Sequence, residues 1–363
     1  MKFGLFYQLP CAPEQNEMTR YHETIEQIVY ADELGFDIAW LAELHFYRPF
    51  SILSSPLILA TALAQRTRRI RLGTAVVLLP LQHPLRLAED AATVDLLSQG
   101  RLEVGVGRGA IAIHFQGFNV PQDESRERFE EALTLLEQAW TQETCAFAGK
   151  YFQVPETPVL PKPLQKPHPP LRIAANSPET AAFAGARGYP VFVASPINPF
   201  PKLPEQIDSY RRAFRAAGHT EQQEDVAAAF PVYVADNAAH VRHEVEASFM
   251  YYFRTVSEQL RLGERGQSAS YAYLREVRKR MEAITWEEAD ATMALYGSPE
   301  LCLQKLQEAH RQCGMNQVIC WFNPGGLVPH RQVLLSMRRF AEEVMPAGRG
   351  LSRSTGVWWD AAG

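Results

Sequence analysis

Residues 70–107, IRLGTAVVLLPLQHPLRLAEDAATVDLLSQGRLEVGVG, decide the fold. Ile70 to Leu79 is a β-branched, apolar run; Leu85 to Leu97 has a helical pattern; Leu102 to Val106 is apolar and β-prone again. Strand, helix and strand in this order predict a parallel pair, because parallel neighbours need a crossover of about a dozen residues or more. Upstream, KFGLFY at residues 2–7 reads as a strand. A helical pattern at Tyr21, Ile25, Ile28, Val29 and Leu34 then ends at Gly35, and Ile38 to Leu41 is apolar before a helix-like Pro56 to Gln65.

Downstream the alternation continues. Helices are predicted near Glu127 to Trp140, Ser177 to Ala186, Pro204 to Ala217 and Val333 to Val344. Strands are predicted at Leu171 to Ala174, Val191 to Ala194, Val226 to Val234 and Gln317 to Phe322. About eight strand positions result, the number that closes a TIM (β/α)8 barrel, with an open doubly wound sheet as the competing arrangement. Three stretches exceed a minimal barrel and read as insertions at its C-terminal face: Phe115 to Ser125, the Pro-rich Val154 to Pro170, and Leu262 to Thr292. Within 262–292, the candidate lid insertion, the polar GERGQSASYAY at 263–273 lies inside otherwise helical sequence and reads as a mobile lid or a surface loop. Residues 1–346 are expected to form one domain. The tail 347–363, with Trp358 and Trp359, lacks periodicity and is expected to be disordered or to pack on a neighbour.

The chain has 363 residues, 46% of them hydrophobic, enough for a large core. Its 36 basic and 41 acidic residues form no long run of one sign, which argues against a nucleic-acid footprint. Nothing approaches the roughly 18 apolar residues of a membrane span. The N-terminal run before Cys11 is too short and too interrupted, by Gln8 and Pro10, for a signal peptide. Five cysteines without metal-ligand spacing fit free thiols in a reducing cytoplasm.

The candidate chemistry gathers after strand ends. Gly105, Gly107 and Ala110 fit a loose dinucleotide fingerprint, but the loop that follows is extended, with no helix opening inside the glycine turn. Two readings of Arg108 stand: a fixed positive charge in the site, or a structural salt bridge. Asn176, Ser177, Pro178 and Thr180 open a helix after a strand, a ready anion site that simple capping explains equally well. Glu43 and His45 follow the second strand, His83 the third and His114 the fourth; each is an acid–base candidate or a structural hydrogen-bonder.

Taken together, MKFGLF, GFDIAWLAELHF, RIRLGTAVVLLPLQHPLRLAED, LLSQGRLEVGVGRG, IAANSPETAAFAG and SMRRFAEEVMP resemble the bacterial-luciferase-like flavin monooxygenases over nearly the whole length. The resemblance implies a TIM-barrel enzyme that takes reduced FMN from a separate flavin reductase and forms a C4a-hydroperoxide with O2. It would then oxygenate a small organic substrate. By similarity, Arg108, Arg126, Ser177 and Thr180 would hold the FMN phosphate, with Asn176 where the family has Glu, and a cis peptide would join Ala75 to Val76 under the flavin. The family's catalytic histidine is Leu44 here, which argues against light emission and makes Glu43 and His45 candidates for structural roles. Its reactive cysteine is Gly107, expected to open space beside the flavin. Leu44, Ala110, Ile111 and Ile113 suggest a mainly apolar pocket. The resemblance further implies a homodimer. Two other functions compete: hydride transfer with the deazaflavin F420, and a non-catalytic flavin-binding partner subunit.

Overall fold

In the computed structural model, which describes residues 1–200, 202–264 and 268–351, the repeated units close on themselves. The barrel strands are β1 (Lys2–Tyr7), β2 (Ile38–Leu41), β3 (Arg71–Thr74), β4 (Leu102–Gly107), β5 (Leu171–Ala174), β6 (Val191–Ala194), β7 (Val226–Val234) and β8 (Gln317–Trp321). Each pairs in parallel with the next, and Lys2 of β1 stands beside Gln317 of β8, so the ring has no edge. The fold is therefore a TIM barrel, and the open-sheet alternative is excluded. Two short strands extend it, Val77–Leu78 against β4 and Leu295–Gly297 against β7.

The strands are apolar on both faces because one face meets the helical ring and the other fills the interior. Inside, Trp40, Phe192, Ile38, Ala227 and Ile319 form a separate cluster, with the Trp40 and Phe192 rings edge-on at 4.7 Å. A Cβ at Gly73 would stand 2.2 Å from the Trp40 indole, so this strand position must be glycine for the interior to close. Arg172 is buried against both rings and donates to the Asp225 carboxylate at 2.6 Å. Phe6, Ala75, Val76 and Ala229 pack on this plug.

Several boundaries differ from expectation. The Pro-rich stretch contributes one strand of an antiparallel hairpin, Thr144–Ala148 with Gln153–Pro158, whose mostly exposed residues lack an apolar run. The candidate lid segment contains two helices after its polar 263–273 stretch, Leu274–Ala283 and Trp286–Met293. The helix Met345–Arg349 runs across position 346, and Arg349 joins the body by pairing with Asp37 at 3.1 Å. Trp358 and Trp359 lie outside the described residues. No described helix is long and apolar enough to cross a membrane, and all five cysteines are buried and free.

Candidate active site

The loop after β2 turns Glu43 inward, where the residue is 3% exposed. Its Oε1 accepts from His45 Nε2 at 3.0 Å, and its Oε2 from the Leu78 amide at 3.1 Å and Gln82 Nε2 at 2.8 Å. A carboxylate only accepts, so the Nε2 proton of His45 is fixed by this contact. The His45 amide in turn donates to His114 Nε2 at 3.2 Å, and Gln259 reaches the same nitrogen at 3.5 Å from the long helix Ala238–Leu262. His114 Nε2 is thus an acceptor, and the ring is neutral with its proton on Nδ1.

Burial, and after it the facing His45, hold His114 at about 3, well below the ordinary imidazole range. The sign of the linkage follows. The unfolded chain protonates near pH 6.5 and the folded one does not, so this group's contribution is complete above 6.5 and is lost as pH falls towards 3. We expect the unfolding free energy to drop by about 1.4 kcal/mol per pH unit below 6.5 on this account. His114→Gln, which keeps an acceptor, should flatten that acid limb in urea titrations at pH 6.5 and 5; an unchanged slope would place the proton uptake elsewhere.

His83 is placed differently from the other two histidines. It is exposed, and its Nδ1 caps the helix Pro84–Leu97 by accepting from the Leu85 amide at 3.3 Å. Leu44 is half-buried against the core. Ala110, Ile111 and Ile113 are also half-buried. Phe46 and Phe118 stay exposed at 59% and 44%, with rings 5.2 Å apart beside His45.

The peptide between Ala75 and Val76 is cis. The position of Gly107 corrects an expectation. A Cβ there would lie 2.4 Å from Val76 Cγ2, so the space left by the missing side chain is already filled by Val76.

Arg108 and Arg126 line one cleft together with Thr180, the carboxylate of Glu130, Phe129, Ile173, Ala174 and Phe183. Ser177 caps the helix Pro178–Ala186, accepting from the Thr180 amide at 3.3 Å with the two hydroxyls 3.0 Å apart. Arg126 pairs with the exposed Glu179 carboxylate. Among the described residues no carboxylate lies within ion-pair distance of Arg108; its guanidinium lies 5.4 Å from the centre of the Tyr271 ring. Asn176 Oδ1 is buried without a partner. Thr180 in the first turn of the capped helix and the two guanidinium groups form a donor set that the phosphate of a ligand would complete. Among the described residues no three metal-ligating side chains converge.

The family model described as luciferase-like monooxygenase matches residues 1–317. The chain belongs to that family. It is similar to the flavin-dependent trigonelline monooxygenase, oxygenase component, of Acinetobacter baylyi: 26% identical, over 96% of this chain and 95% of that protein. It is also similar to the alkanal monooxygenase alpha chain of a Kryptophanaron alfredi symbiont, 26% identical over 95% and 98%. Among solved structures, monooxygenase RslO1 from Streptomyces bottropensis superposes with a TM-score of 0.79 at 29% identity, covering 96% of this chain and 99% of that one. Gln122, Ser125, Gln259 and Tyr271, whose hydrogen bonds reach His114 and the turn after β4, were not singled out by the sequence. The only cue was the pair of tyrosines in the otherwise polar 263–273 stretch.

Proposed function

We propose that this member of the luciferase-like monooxygenase family is the oxygenase component of a two-component system. It would take reduced FMN from a separate flavin reductase and, with O2 and by way of the C4a-hydroperoxide, oxygenate a small, mainly apolar organic substrate. The observation that carries the reading is the convergence of Arg108, Arg126 and Thr180 in one cleft. Two guanidinium groups and a helix N-terminus suit a phosphate dianion. Ala75 and Val76, packed on the interior plug, suit a flat ring system, and the apolar Leu44, Ile111, Ile113, Phe46 and Phe118 suit an apolar substrate and the exclusion of water.

The test is a stopped-flow experiment. Protein loaded anaerobically with reduced FMN is mixed with oxygenated buffer, and the flavin spectrum is followed. An oxygenated-flavin spectrum that persists well beyond the lifetime seen with free FMN supports the reading; reoxidation at the rate of free FMN removes it. Leu44, standing where the resemblance implies a catalytic histidine, favours a second reading as a flavin-holding partner subunit. That reading predicts FMN binding without a persistent oxygenated spectrum.

A further inference from the structure

The two arginines of the cleft sit on different arms of the barrel mouth. Arg108 belongs to the turn that leaves β4, and Arg126 to the first turn of the helix Ser125–Thr141. Gln122, just ahead of Arg126, reaches across to the Ala110 carbonyl at 3.0 Å. A third segment ties the two arms a second time. Tyr271 is 1% exposed, and its hydroxyl donates to the Gly109 carbonyl at 2.9 Å, beside Arg108 in the chain. The same oxygen lies 2.9 Å from Ser125 Oγ, beside Arg126. A carbonyl cannot donate, so the phenol proton goes to Gly109 and the Ser125 hydroxyl must donate to the phenol oxygen. One buried hydroxyl thereby ties the two arginine-bearing arms, and the ring of the same residue faces the Arg108 guanidinium.

A further contact runs alongside. Gln122 also accepts from the Ser268 amide at 2.9 Å, holding residues 268–271 over the same turn. We infer that Tyr271 is the positioning residue of the phosphate-binding pair: it sets the spacing of Arg108 and Arg126, and with it the preference for a phosphorylated flavin over its unphosphorylated form. The inference rests on the proposed FMN site and assigns its selectivity to a residue that need not touch the ligand.

The experiment compares oxidised FMN with riboflavin, which lacks the phosphate, by fluorescence titration of the full chain. The wild type is expected to bind FMN more tightly. Tyr271→Phe, which deletes the bridge and keeps the ring, should shrink that preference about threefold to tenfold, the worth of one buried hydrogen bond. Tyr271→Leu should shrink it further, and Ser125→Ala should reproduce part of the effect without touching Tyr271. Riboflavin affinity should stay near the wild-type value in all three. Should Tyr271→Leu fail to fold, the near-isosteric Tyr271→Phe still decides. Variants that keep the wild-type preference, or lose both ligands in parallel, overturn the inference while leaving the FMN site standing. A wild type that binds both flavins equally overturns the phosphate reading itself, and this inference with it.

Discussion

Arg108→Ala is expected to weaken FMN binding roughly ten- to a hundredfold, the equivalent of the 1.5 to 3 kcal/mol carried by one charge-assisted hydrogen bond. The size of the effect follows from what Arg108 does in the protein alone. No described carboxylate lies within ion-pair distance of it, although Glu130 lines the same cleft, and it faces an aromatic ring, so its positive charge is open to an anion. Arg126, by contrast, shares its charge with Glu179, and its removal should cost less. Arg108→Lys keeps the charge but loses the planar fork that meets two phosphate oxygens at once, and should fall between wild type and alanine. Because the contact is partly open to solvent, the gap between wild type and Arg108→Ala should narrow as salt rises from about 0.05 to 0.5 M. Equal affinities measured by calorimetry at low salt would confine Arg108 to its packing against Tyr271.

The barrel was legible because its strands are unusually plain. Val226–Val234 and Val191–Ala194 are unbroken apolar runs, and a strand buried on both faces needs only that signal. The hairpin Thr144–Ala148 with Gln153–Pro158 was not legible, since its mostly exposed residues give no such run. Helix starts read well wherever a cap is written in the sequence, as at Ser177 with Pro178.

The site was legible only as far as single positions reach. Arg108 and Ser177 announce themselves by residue type after a strand, whereas the meaning of His114 depends on Gln259, 145 residues away. Gly107 was misread for the same reason: the absence of a side chain is visible in the sequence, but the Val76 methyl group that occupies the vacated volume is not. Tyr271 stands out in the sequence only as an aromatic residue in a polar stretch, because what distinguishes it is the two arms it joins.

Glu43→Leu should cost about 3 to 5 kcal/mol of folding stability, the typical loss when one partner of a buried, fully engaged polar group is removed. Its carboxylate takes three hydrogen bonds, from His45, the Leu78 amide and Gln82, and a leucine would leave all three donors facing hydrocarbon. Two of those donors flank the turn Leu79–Leu81, so the change should also loosen the chain just beyond Ala75 and Val76. Glu43→Gln is the informative companion. Its amide oxygen can continue to serve Leu78 and Gln82, while its NH2 turns to His45, whose ring answers by moving its proton to Nδ1 and accepting at Nε2. Stability in urea should then stay within about 1 kcal/mol of wild type. If Glu43 acts by holding this corner together, turnover of Glu43→Gln should stay within about tenfold of wild type. A folded, flavin-binding Glu43→Gln whose turnover falls by a hundredfold or more, the range expected for loss of a general acid or base, would instead make Glu43 a proton-handling group.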